Sequence, residues 1–110
     1  MNKETIARIR KCRDDRDWKQ FHNPKDLAIS ISLEANELLE LFQWSGEDVN
    51  CEDKKADMEE ELSDVLVYCV HMADALGVDL DEIINRKMNK NEAKYPVDKA
   101  KGTSKKYSDL

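Results

Sequence analysis

Glycine and proline are nearly missing from this 110-residue chain, which has three Gly and two Pro. Strands joined by tight turns need many more of both, which argues against a β-sandwich or barrel. No run of 18 apolar residues occurs, so no membrane span is expected. No basic-then-apolar N-terminal stretch predicts export. Histidine is scarce (two) and aromatics make up only 6% of residues. Cysteines number three, Cys12, Cys51 and Cys69, an odd count without metal-type spacing. That pattern predicts a reduced, cytoplasmic protein. Cys12 and Cys69 read as small core residues and Cys51 as an exposed loop thiol.

What the chain has is charge: 38% of residues are charged, with a formal net charge of -6. An acidic chain is a poor binder of nucleic-acid phosphate. The charge is uneven. Residues 1–22 hold seven basic and four acidic residues, residues 23–76 three and fourteen, and residues 77–110 eight and six. Either these charges are solvated helix faces, or the middle holds a cation site with basic groups nearby for an anionic ligand.

Four helices are predicted, from about Lys3 to Trp18, Asn23 to Trp44, Asp53 to Leu76 and Asp79 to Tyr95. Asn23-Pro24 gives a cap followed by Pro at the first helical position. Gly77 suits a helix C-terminus. Asp79 with Glu82 reads as a capping box. Pro96 ends the last helix. Short connections favour an all-α, antiparallel four-helix bundle-like subunit, with a helical domain over 1–95 and a basic tail over 96–110. A domain this small buries only about 60–70% of its unfolded surface, so self-association is expected to complete the core.

On a wheel of about 100° per residue, Glu34 and Glu37 fall within about 60° of each other, in the stripe of Leu27, Ile31, Leu38 and Leu41. Glu61 and Asp64 share a sector with Val65, Tyr68 and Met72. Two acid pairs on apolar faces are costly unless they find partners. Too few basic residues lie on those faces. A divalent cation is the simple solution, and all-oxygen ligation points to Mg²⁺, with Mn²⁺ possible, rather than Zn²⁺. A di-iron bundle wants Glu-x-x-His, and neither His22 nor His71 has a Glu three residues before it.

Other candidates stay open on the residues alone. Lys87, Asn91 and Tyr95 form a polar stripe that either reads base, sugar and phosphate or is the outer face of the last helix. Lys105 and Lys106 are further phosphate candidates or solvated side chains. Trp18 and Trp44 either stack on a base or cap the core at helix ends. Tyr68 sits one turn past Asp64, beside the candidate metal site. His22 either bonds a base or is a loop residue, and His71 reads as a core or interface histidine.

Glu34-Ala-Asn-Glu37 followed by Glu61-Leu-Ser-Asp64 resembles the ExxE…ExxD signature of the MazG-like all-α nucleoside triphosphate pyrophosphohydrolases. Arg16 to His22, Glu40 to Trp44, Glu60 to Leu66, Lys87-Met88 through Asn91 to Tyr95-Pro96, and Lys101 to Tyr107 resemble the dCTP pyrophosphatase branch. The likeness covers about residues 10–110. Leu33 stands where many MazG proteins carry a further Glu, which favours that branch. The resemblance implies Mg²⁺-dependent cleavage of dCTP or a modified dCTP between its α- and β-phosphates, giving monophosphate and pyrophosphate. It implies Glu34, Glu37, Glu61 and Asp64 as ligands, one of them, Glu37 or Glu34 in preference, also orienting water. It also implies a homo-oligomer, dimer or tetramer, in which one subunit completes another's pocket. The competing readings are a non-catalytic helical interaction module and a related dUTP or phosphoribosyl-ATP pyrophosphohydrolase.

Overall fold

A computed structural model describes all residues, 1–110. It is all helical: α1 (Lys3–Asp15), α2 (Pro24–Glu40), α3 (Lys55–Leu76), α4 (Leu80–Lys94) and the short α5 (Val97–Ala100). Single 3₁₀ turns cover Lys19–Phe21, Glu52–Lys54 and Tyr107–Asp109. No helix is long and apolar enough to cross a membrane. Two compact units divide the chain, Met1–Gly77 with α1 to α3 and Val78–Leu110 with α4 and α5.

The caps lie where the residue types put them. Asn2 accepts the Thr5 amide at 2.8 Å and Asn23 accepts the Asp26 amide at 2.9 Å. Asp79 accepts the Glu82 amide at 3.0 Å, but the Glu82 carboxylate turns to Arg86 at 3.3 Å, so the reciprocal half of a capping box is not made. Gly77 ends α3 at φ 67°, a left-handed conformation that costs glycine nothing.

Helix ends differ from the expected ones for local reasons. α1 stops at Asp15 instead of Trp18, because Asp17 turns left-handed (φ 54°) and the Trp18 amide donates back to the Arg13 carbonyl at 3.0 Å. α2 stops at Glu40 instead of Trp44. The amides of Leu41, Phe42 and Gln43 donate three residues back, tightening the chain into turns that end at Trp44 (φ 67°). The expected start of α3 at Asp53 lies inside a 3₁₀ turn, and the α-helix begins at Lys55.

The cysteines reverse two expectations. Cys12 is exposed, because its face of α1 is turned to solvent. Cys51 is buried: Asp48 Oδ1 accepts its amide at 3.1 Å, and its thiol donates to the Asp48 carbonyl at 3.3 Å, folding the loop over it.

Within the first unit, α2 packs along α3, and α1 rests on α3. The Lys54 ammonium donates to the Leu41 carbonyl at 3.0 Å, closing α2 and α3 into an antiparallel hairpin. That closure sets the register. Glu34 lies two turns before Leu41 and Glu61 two turns after Lys54, so the two acids meet across the hairpin. The sealed apolar side chains are Leu27 and Val70, with Ala73 and Cys51 also buried. Burying Leu27 and Val70 is worth about 1.5–3 kcal/mol each. Leu33, Leu39, Leu62 and Leu66 remain largely exposed.

Candidate metal centre

The hairpin delivers Glu34 from α2 and Glu61 and Asp64 from α3 to one place. Their nearest carboxylate oxygens all lie within 4.8 Å of one another. Glu34 and Glu61 are half-buried, and each has an Oε2 sealed from solvent with no hydrogen-bond partner. Neither acid is ion-paired. Glu37 is exposed and outside the mutual trio, yet it sits within hydrogen-bonding reach of both Glu34 and Glu61.

The electrostatics follow from that crowding. Burial first, then Glu37 and the charge of Asp64, push the Glu34 carboxyl above the ordinary carboxylate range. A hydrogen bond with Glu37, then burial, then the charges of Glu37, Asp64 and Glu34 push Glu61 up to about 7. Clustered acids with no basic partner are stabilised by a cation. A set made only of carboxylate oxygens suits a hard divalent ion. The two exposed members each open to a depression. Glu37 borders one of about 740 Å³ with Leu33, Leu39 and Phe42, and Asp64 borders one of about 480 Å³ with Ala56, Glu60 and Ser63.

The other candidates are placed as follows. Trp18 is half exposed, with the Arg16 guanidinium 5.7 Å from its ring centroid. Trp44 is 93% exposed, so it does not cap the core: the left-handed turn at its own position swings it outward. Tyr68 meets His71 edge-on at 6.1 Å. His22 stacks on His71 with centroids 4.6 Å apart, so it is more than a loop residue. His71 is buried, as a core histidine should be. In the second unit, Lys87 is exposed on α4, Asn91 is half-buried one turn on, and Tyr95 caps the helix, its amide donating to the Asn91 carbonyl at 2.9 Å. Tyr95 meets Tyr107 edge-on at 6.1 Å, and Lys94 and Lys106 lie over the Tyr107 ring.

A second ionic cluster, invisible to periodicity, ties α1 to α3. Asp74 accepts from Arg10 at 3.0 and 2.8 Å and from Arg13 at 2.7 Å. Arg13 is 4% exposed, and its Nε and Nη2 donate to the two Asp14 oxygens. Burial alone would raise Asp74, but the Arg10 and Arg13 guanidiniums outweigh it and hold the carboxyl low. The basic excess of residues 1–22 was its one sequence signal.

The MazG-like family model matches residues 29–110, a span that contains both acid pairs. The chain belongs to the MazG-like family. It is 42% identical over 101 residues to dCTP pyrophosphatase 1 of Mus musculus, which covers 87% of this chain and 59% of that protein. The Homo sapiens dCTP pyrophosphatase 1 is 41% identical with the same coverage. The chain thus spans about three-fifths of the length of these relatives. The crystal structure of a pyrophosphatase from Archaeoglobus fulgidus DSM 4304 is also similar, with 45% identity and a TM-score of 0.78, covering 84% of this chain and 90% of that one.

Proposed function

We propose that this MazG-like chain hydrolyses dCTP or a modified dCTP between the α- and β-phosphates, releasing a monophosphate and pyrophosphate and cleaning the nucleotide pool. The observation that carries the reading is the trio Glu34, Glu61 and Asp64, with two buried carboxylate oxygens lacking any partner. A solvated helix face gives no reason to bury such atoms, which counts against a non-catalytic helical module. The names of the mouse and human relatives favour dCTP over dUTP or phosphoribosyl-ATP.

Glu34, Glu61 and Asp64, with Glu37 beside them, would hold Mg²⁺, or Mn²⁺ in its place. Bound there, the ion supplies positive charge that offsets repulsion between carboxylates and triphosphate and polarises phosphoryl oxygens. The residues' own roles follow from exposure and position. Glu34 and Glu61 are fixed by half-burial and anchor the site. Glu37, exposed and outside the trio, is the carboxylate freest to orient water. One water is consumed: its oxygen bonds to phosphorus, the bond from that phosphorus to the bridging oxygen breaks, and a carboxylate takes the water's proton. Trp18 and Trp44 are assigned to stacking on the base and His22 to hydrogen-bonding it, Tyr68 to the surroundings of the metal site, and Lys87, Asn91 and Tyr95 to reading base, sugar and phosphate. The exposed Leu33, Leu39, Leu62 and Leu66 support assembly into a homo-oligomer, dimer or tetramer. Three free cysteines suit a reduced cytoplasmic setting.

A panel of nucleoside triphosphates with Mg²⁺, scored for pyrophosphate against orthophosphate, tests the reading. dCTP or a modified dCTP should be the best substrate, with pyrophosphate as direct product. Orthophosphate as the direct product would refute the cleavage site.

A further inference from the structure

His22 closes the Lys19–Phe21 turn and directly precedes the Asn23 cap of α2. Its ring is tilted 40° to that of His71 on α3, with centroids 4.6 Å apart. His71 is 6% exposed. The Nδ1 atoms of both rings are sealed from solvent and have no hydrogen-bond partner. The backbone bonds of the turn are local: the amides of Trp18, Phe21 and His22 donate to the Arg13, Trp18 and Lys19 carbonyls. The stacked rings tie this turn to α3 through side chains.

An imidazolium presents two N–H donors, and a buried one needs acceptors for them. The carboxylates around the pair are already committed. Asp74 Oδ1 accepts from Arg10, and Oδ2 accepts from both Arg10 and Arg13. Both oxygens of Asp14 accept from Arg13. Tyr68 completes the titratable surroundings, edge-on to His71. Protonating either ring would therefore add a cation beside Arg13 with no free anion to meet it. Consistently, burial and then His22 and Arg13 hold His71 down to about 4, and Asp74 and Asp14 do not offset them. Burial and then Arg13 lower His22 as well.

We propose that the paired rings of His22 and His71 clamp the 17–22 turn, with Trp18 on it, to α3 only while both rings are neutral. At neutral pH the turn is held and Trp18 is placed. In acid an imidazolium forms, the stack parts and the turn swings free while the helices stay folded. The consequence for substrate rests on Trp18 contacting the nucleotide, as proposed above. The clamp does not, and its test reads no turnover.

Amide hydrogen exchange of the full chain, followed by NMR at pH 7.5 and 5.0 and corrected for intrinsic rates, decides the matter. A ring at about 4 when clamped and at about 6.5 when released favours opening by about thirtyfold at pH 5.0. The Trp18, Phe21 and His22 amides should lose protection by that order, while those of Ile31 and Leu38 in α2 keep theirs. His71→Phe, which keeps a neutral ring, should hold the turn closed at both pH values. Equal protection at the two pH values, or loss in step with α2, would overturn the clamp, as would acid opening in a folded His71→Phe. Should that variant not fold, the wild-type comparison decides alone.

Discussion

At Asp74 both carboxylate oxygens meet guanidinium groups; at Glu34 and Glu61 one oxygen each is buried with nothing donating to it. The two clusters share α3, separated by less than three turns between Asp64 and Asp74. In one, a buried cation and its anions neutralise each other, and the result is architecture that fastens α1 to α3. In the other, like charges are crowded without counter-charge, and the fold bears the cost. A chain holds such a cluster when something outside the chain completes it. Pairing, more than burial or charge alone, separates the structural cluster from the candidate chemical one.

The largest break comes at the paired cluster. Asp74→Ala leaves the buried Arg13 with Asp14 alone and an Nη1 without acceptor, and it frees Arg10, so chemical denaturation should show a loss of about 3 kcal/mol. The same operation at the unpaired cluster should run the other way. Glu61→Gln removes a repelled charge, so the metal-free variant should unfold at a denaturant concentration no lower than wild type. Next in size is the ligand effect. Mg²⁺ at about a hundred times its dissociation constant should stabilise the wild type by about 2.7 kcal/mol. Glu61→Gln or Asp64→Asn should lose most of that gain in a thermal melt.

The pH dependence sharpens the contrast, because Glu61 and His71, the histidine beside the paired cluster, are shifted in opposite directions. Glu61 is raised to about 7 in the folded chain. Its stabilising contribution in the metal-free protein is full below the ordinary Glu value and is lost as pH rises through about 7. His71 is lowered to about 4, so its contribution is present above the ordinary His value and lost as pH falls through about 4. Melting temperatures of Glu61→Gln and His71→Phe, each subtracted from wild type across pH 4–8, should slope in opposite directions. The smallest effect belongs to the exposed pair Arg86–Glu82, where Glu82→Gln should change stability by less than about 0.5 kcal/mol.

The helices and the inward wheel positions of Glu34, Glu37, Glu61 and Asp64 were legible because periodicity is local, depending on neighbours within a turn or two; that Glu37 falls outside the mutual trio was not. The closing contact of Lys54 on Leu41 was not legible, though it fixes which carboxylates meet. The Arg10–Arg13–Asp74 cluster and the His22–His71 stack join residues about fifty to sixty positions apart, beyond the reach of any pattern in one sequence. Helix ends moved where the backbone itself turned: Asp17 goes left-handed after α1, and the amides of Leu41, Phe42 and Gln43 tighten into turns before Trp44 although Leu41 and Phe42 extend the apolar pattern. Cys51 failed as a loop thiol because the loop itself folds inward around Asp48.

Calorimetric titration of Mg²⁺ into wild type, Glu61→Gln and Asp64→Asn tests the central claim most directly, that the unpaired cluster is completed by a divalent ion. Saturable binding in wild type, lost in both variants while their helical circular dichroism is unchanged, is the predicted result. Equal binding in all three, or none in wild type, would contradict it.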